Sequence, residues 1–167
     1  MVDADIRPID PVADLALVQT LCLRGTEYIT LETGAPPAEG YAATLLAEAP
    51  PSVPTRDVLA FGALDEGMLC ALLKCLRNFY APREWYLGLL LVDPAARRGG
   101  LGTQMVAHVR RLARTQNARC MRMAVLDANP QGRAFWAHQG FVHERTVPGD
   151  PAGDGHIRHI LKLELGG

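Results

Sequence analysis

The sequence predicts one mixed α/β (α+β) domain, spanning residues 1–167, built on a mainly antiparallel central sheet with flanking helices. Three observations carry that expectation. A chain of 167 residues can bury roughly 68–70% of its unfolded surface around one core. Apolar residues recur at period two in some stretches and at intervals of three and four in others, as in a layered sheet-and-helix protein. An apolar run at residues 87–92 passes through a glycine-rich loop into an amphipathic stretch from residue 102. No internal repeat, low-complexity tract or linker divides the chain.

Taken in order, residues 6–9 read as a strand and residues 11–23 as a helix after the capping candidate Asp10. A second helix is expected over residues 36–49, ended by Pro50, Pro51 and Pro54. Residues 58–64 and 68–79 form two strands joined by a hairpin turn at Asp65, Glu66 and Gly67. Residues 85–92 are apolar on both faces, as a central strand requires. Residues 102–116 place Met105, Val106, Val109, Leu112 and Ala113 on one helical face and leave arginines and His108 on the other. A strand at 120–125, a helix at 130–139 with Pro130 in its first turn and Gly140 as its stop, and strands at 141–147 and 156–165 complete the chain.

Several functions drop out at once. No apolar run is long enough to span a bilayer, and the first residues carry acids where a secretory signal carries bases, so a cytoplasmic protein without membrane contact is expected. Cys22, Cys70, Cys75 and Cys120 have no C-x-x-C spacing and read as core residues. The one serine, Ser52, sits in a proline loop, and neither Lys74 nor Lys162 completes a phosphate-binding G-x-x-x-x-G-K, which removes serine hydrolases, kinases and GTPases. His156 and His159 fall on opposite faces of a strand, so no metal is expected. The net charge of −1 conceals an asymmetry: residues 1–57 hold nine acids and three bases, while residues 94–126 hold seven arginines and no acid. Such a segment suits an anion or a solvated helix face. With a pI near 6.5 and no aromatic platform, nucleic acid is not the expected partner.

The segment Leu89 to Thr103 is the informative one. It joins a buried strand to a helix through Asp93, Pro94, Ala95, Ala96, Arg97, Arg98, Gly99, Gly100, Leu101 and Gly102. A helix start leaves amide donors unpaired, and glycines let a phosphate reach them. A dinucleotide fingerprint would need glycine where Met105 stands and an acid near Arg122. The Arg97-Arg98-Gly99-Gly100-Leu101-Gly102 run instead resembles the R/Q-x-x-G-x-G/A motif of the GNAT superfamily of acyl-CoA-dependent N-acetyltransferases. Asn129, Phe135, Trp136, Gly140 and Phe141 resemble that family's second motif at matching spacing, and the order of elements is similar along nearly the whole chain.

The resemblance implies a GNAT-like sheet whose central strands splay, with acetyl-CoA as acyl donor and no metal. It places the pyrophosphate on the amides of Arg98, Gly99, Gly100, Leu101, Gly102 and Thr103 with Arg97 beside them, and the pantetheine arm along Leu90 and Val92. Asn129 would contact the cofactor, and Phe135 with Trp136 would wall its far end, although Phe135 by itself suits a core better than a ligand contact. Gly88 either starts the splay as a bulge or accommodates a close neighbour.

Two departures bear on mechanism. Trp136 replaces the tyrosine that often protonates the leaving thiolate, and an indole is no practical proton donor. The base expected near positions 86 and 88 meets Tyr86 and Gly88. Tyr86 is therefore the candidate phenol and Glu84 the nearest carboxylate, although Glu84 at the open strand end suits a solvated group. Glu27 and Glu32 can reach the acceptor side, where surface acids are the ordinary outcome.

The expected activity is acetyl transfer by direct attack of a primary amine, on a small molecule or a peptide. The alternative is a catalytically weak acyl-CoA-binding or regulatory module of the same fold. Oligomeric state is open, a homodimer included.

Overall fold

The computed structural model describes residues 4–166. Strand β1 (Asp5–Pro8) leads into three helices, α1 (Leu15–Arg24), α2 (Thr26–Thr33) and α3 (Tyr41–Ala47). Then follow β2 (Val58–Asp65), β3 (Met68–Leu76), β4 (Glu84–Val92), α4 (Leu101–Thr115), β5 (Cys120–Leu126), α5 (Pro130–His138), β6 (Val142–Val147) and β7 (Arg158–Glu164). The strands form one sheet in the order β1-β2-β3-β4-β5-β7-β6. Every neighbouring pair is antiparallel except β4 and β5, which run parallel.

The amino-terminal helices differ from expectation. Asp10 does accept the amides of Val12 and Ala13 at 2.8 Å, but these bonds close a turn and α1 begins only at Leu15. The expected long second helix shrinks to α3, because Pro36 and Pro37 lie before it and Gly40 caps it in the left-handed region at φ +79°. Between them stands α2, which sequence reading leaves unassigned. Its TEYITLET segment buries only Ile29, so packing and not periodicity holds it helical.

Two apolar layers sandwich the sheet. On one face, Trp85, Leu87, Met121 and Met123 meet Met105, Val109 and Trp136 of α4 and α5. On the other, Leu72 and Leu91 meet Val18, Leu21 and Ile29 of α1 and α2. Burying side chains of this size contributes about 1.5–3 kcal/mol each. Strand β4 serves both layers, which is why its sequence does not alternate. All four cysteines are buried free thiols. His108, expected on an exposed face, is half-buried against Phe61, and burial lowers its pKa.

Buried Asp14 anchors the first turn. Both its carboxylate oxygens accept from Arg7 at 2.8 Å, and the Asp10 amide donates to it as well. These bonds, the Arg7 guanidinium foremost, hold its pKa down to about 2. A depressed carboxylate adds stability that is fully present above the unfolded value and disappears as pH falls through the folded one. Asp14→Asn is therefore expected to cost about 2 kcal/mol at neutral pH, a penalty that shrinks as pH falls below about 4 and is lost only below about 2, as urea titrations at pH 7 and at pH 2 would read. Equal stability at pH 7 would reduce the pair to an ordinary surface contact.

The feature that makes a site is a break in pairing. Residues Glu84 to Leu87 of β4 pair with Cys120 to Met123 of β5, and no register continues beyond them. On its other side β4 skips a residue: Lys74 opposes Leu89 and Cys75 opposes Leu87, leaving Gly88 as a bulge. A Cβ on Gly88 would meet only the Lys74 carbonyl, at 3.9 Å, so no close neighbour demands the glycine. The bulge reading is the one the structure supports, and it marks the point where the strands part.

Candidate active site

The split between β4 and β5 opens a cleft of about 700 Å³, bounded by α2, the loop after β4 and α5. Asp93 builds the loop. Its Oδ1 accepts the Ala95 amide at 2.9 Å and starts a short turn, while its Oδ2 accepts from Arg24 at the end of α1. The same guanidinium donates to the Leu69 carbonyl at 2.6 Å, so the loop is tied to α1 and β3. Arg98 at φ +65° and Gly100 at φ +83° then turn the chain into α4. Gly102 is needed for close approach, since a Cβ there would stand 3.3 Å from the Phe135 ring.

Among the described residues, none of the amides of Arg98, Gly99, Gly100, Leu101, Gly102 or Thr103 has a protein acceptor. No acid occupies the first turn of the 15-residue α4. Unpaired donors and the positive end of a long helix dipole make an anion cradle there. Arg97 lines the cleft, but its Nε donates to the Val92 carbonyl at 3.3 Å. That carbonyl lies on the stretch expected to pair with pantetheine, so the two uses compete. Leu90 and Val92 line the cleft beside it, and Leu101 packs on the core. The Thr103 hydroxyl accepts from Gln139 at 3.0 Å, bracing α4 against the end of α5.

On the far wall, Asn129 Oδ1 accepts the Gly132 amide at 2.8 Å and caps α5, which leaves its Nδ2 donors uncommitted among the described residues. Phe135, better suited to a core on sequence grounds, is only half-buried and faces the cleft. Trp136 reaches the cleft as well, but most of its indole packs in the core against Phe141.

The structure does not bring Glu84 to the cleft, and it is not solvated. It is buried, with Oε1 taken by Arg119 and Oε2 by Arg122 at 2.6 Å. Burial opposes its ionisation, yet these two guanidiniums outweigh it and hold the pKa below the usual range. Arg122 also grips Glu144 through two bonds of 2.8 and 3.0 Å. Two members of the arginine segment are thus consumed by acids, and a third, Arg110, by the Gln139 carbonyl. The acids of residues 1–57 divide likewise. Asp14 and Asp57 pair with Arg7 and Arg77, and Glu27 and Glu32 line the cleft.

Of the two acids that line the cleft, Glu27 is exposed and Glu32 is the more enclosed. It sits on α2, accepts from the Tyr28 hydroxyl at 3.2 Å and is half-buried. Burial raises its pKa, against the pull of Tyr28, Arg158 and His156. Tyr86 adjoins it. Burial, with Tyr80 and Glu32 adding, pushes that phenol up to about 12, against Arg158 and a hydrogen bond from the Ala124 amide. Ala124 lines the cleft where β5 leaves β4, whereas Tyr86 is not among the lining residues and its ring packs near Phe79 and Tyr80. The Arg158 guanidinium is occupied by both oxygens of Asp154, and His156 donates to the Glu32 carbonyl at 3.2 Å. Sequence reading offers Glu32 only as one of two acids within reach; the signal for it is Tyr28 four residues earlier on a helix.

Residues 28–141 match the family model described as Acetyltransferase (GNAT) family. No curated protein matches the chain. Among solved structures, an acetyltransferase from Thermus thermophilus is 22% identical with TM-score 0.74, covering 98% of this chain and 97% of that one. PaiA N-acetyltransferase from Thermoplasma acidophilum, in complex with coenzyme A, is 15% identical with TM-score 0.75 over 98% and 99%. The ribosomal-protein-S18-alanine N-acetyltransferase of Escherichia coli is 19% identical with TM-score 0.72 over 97% and 94%.

Proposed function

Because the chain belongs to the GNAT family of acetyltransferases, we propose that it moves an acetyl group from acetyl-CoA to a primary amine by direct attack. The observation that carries this is the row of unpaired amides at the start of α4, opening into the same cleft as the unpaired edges of β4 and β5. One part suits a pyrophosphate and the other an amide-bearing arm that pairs like a strand. A neighbour of the same fold holds coenzyme A, and another is named for an alanine amine of a ribosomal protein; both supply precedent for donor and acceptor.

In this reading Arg98 to Thr103 bind the donor phosphates and Arg97 exchanges the Val92 carbonyl for them. Glu32 takes a proton from the ammonium, the freed amine attacks the thioester carbon, and the carbon–sulfur bond breaks. The phenol of Tyr86, protonated at neutral pH, gives its proton to the departing thiolate and is restored by the second proton that leaves the nitrogen, relayed by water. A base with a raised pKa and an acid still protonated are the pair this sequence of transfers needs.

The test is acetyl transfer across polyamines, amino acids, aminoglycosides and peptide amino termini, read by mass spectrometry and thiol release. Absence of product from every class, with acetyl-CoA bound, would favour the binding module instead. Tyr86→Phe is expected to lower kcat more than tenfold with acetyl-CoA affinity intact. Equal turnover would remove Tyr86 from the mechanism.

A further inference from the structure

We infer that the protein carries a second catalytic centre, in a groove that shares no lining residue with the cleft, where Thr146 is an activated nucleophile for small uncharged carboxylic esters. Strand register builds it. Thr146 of β6 pairs with His159 of β7, and His143 pairs with Leu161. Residues three apart on a regular strand face opposite ways, but Glu144 has no partner on β7 and forms a bulge. The extra residue turns His143 and Thr146 to one side, where His143 Nε2 stands 2.9 Å from Thr146 Oγ1. His159 Nδ1 lies 3.2 Å from the same oxygen, and its Nε2 lies 2.7 Å from Asp127 Oδ1. The Asp127 amide donates to the Ile157 carbonyl at 2.9 Å, which fixes the acid beside the start of β7.

The direction of the hydrogen bonds follows from the acid. The bond from His159 keeps Asp127 below the usual carboxylate range, and a carboxylate only accepts. His159 therefore holds its proton on Nε2, and in the neutral ring Nδ1 is an acceptor for the Thr146 hydroxyl, which in turn accepts from His143. Nucleophile, base and orienting acid are thus within hydrogen-bond reach in the order that hydroxyl activation needs. Thr146 is exposed and borders a groove of about 470 Å³. Phe141 and Leu161 give the groove an apolar floor for an acyl chain. Arg133 also lines it; its guanidinium stands 3.8 Å from Asp127, gives no hydrogen bond among the described residues, and is the cation available to a carbonyl oxygen as it gains charge. In the reaction Thr146 Oγ1 bonds to the ester carbon while its proton passes to His159 Nδ1. The carbon–oxygen bond to the alcohol breaks, and the alcohol leaves with that proton. Water then adds to the acyl-threonine, its proton passing through Nδ1 to Oγ1, which releases the carboxylic acid and restores the hydroxyl.

The experiment follows p-nitrophenol release from p-nitrophenyl butyrate and p-nitrophenyl acetate by the full chain, with no acyl-CoA present. The butyrate is expected to turn over with kcat/KM about tenfold above the acetate, because two more methylenes reach the apolar floor. His159→Ala should lower kcat about a hundredfold or more, the ordinary contribution of a positioned base. Thr146→Val, which puts a methyl where the hydroxyl was, should fall to the buffer rate, and Thr146→Ser should keep turnover. Asp127→Asn should lower kcat and leave KM in place, since this acid acts only by positioning His159. Melting curves check that each variant is folded. Hydrolysis that survives in Thr146→Val would mean that a bare imidazole attacks the ester, and it overturns the proposal. So does a native rate no faster than buffer, equal kcat/KM for the two esters, loss of turnover in Thr146→Ser, or an Asp127→Asn variant altered in KM alone. None of these results bears on acetyl transfer, which uses the other cleft.

Discussion

Glu32→Gln lowers kcat about a hundredfold or more, the contribution ordinary for a positioned base, and removes the acid limb of the pH profile. The sign follows from burial. Glu32 has a raised pKa, and only its ionised form can accept a proton, so turnover of the native protein falls as pH drops through that raised value. The glutamine variant has no such group and should keep only the rise that comes from ionisation of the amine. Stability should move the other way. A carboxylate whose folded pKa is raised binds a proton more readily in the folded state, so its charge opposes folding above that pKa. Glutamine keeps the shape without the charge, and the variant should melt no lower than the native protein at pH 7. Lost turnover with retained stability would set a catalytic loss apart from misfolding. An acid limb that persists in the variant would show that another group is the base.

The second large effect concerns the donor. Acetyl-CoA at about 100 times its dissociation constant should stabilise the native protein by about 2.7 kcal/mol, a melting shift of roughly 5–11 °C for a chain of this length. Gly99→Glu should abolish that shift. Gly99 is the cleanest position in the loop, because a Cβ there meets nothing nearer than the Ala96 carbonyl at 3.7 Å. A carboxylate can therefore be added without displacing a neighbour, and it would repel the pyrophosphate from the amides. Gly102 would confuse the test, since its substitution presses on Phe135. If Gly99→Glu melts like the native protein and keeps the full shift, the phosphates bind elsewhere.

The half of the cleft proposed for the donor, with its glycine loop and free amides, is legible in the sequence because its determinants are local. A strand, a glycine loop and a helix start lie within about fifteen residues, and their order alone puts the free amides in one place. The bulge at Gly88 is legible as one of two options, and the register of β3 against β4 chooses between them. The acceptor half is not, because its determinants are distant. Whether Glu84 is a base or a buried ion pair depends on Arg119 and Arg122, which lie 35 and 38 residues away and meet it only when β5 aligns beside β4. Helix α2 has no apolar stripe to announce it, so the helix that carries Glu32 into the cleft exists through its contacts with β4. Tyr86 can be placed on its strand, but not its neighbours Phe79 and Tyr80, which a turn folds back on it.

The short pairing of β4 with β5 has a mechanical consequence. Among the described residues, Glu84 to Leu87 and Cys120 to Met123 form the only backbone ladder joining two blocks of strands, β1 to β4 on one side and β5, β7 and β6 on the other. The sheet behaves like a clothes-peg: four residue pairs are its spring, and the cleft lies between its jaws. Glu84, gripped by Arg122 of β5 and by Arg119 just before it, sits at the pivot. A carboxylate outside the cleft thereby ties the two jaws together at their pivot, and Arg122 carries the same clamp across to Glu144 on β6.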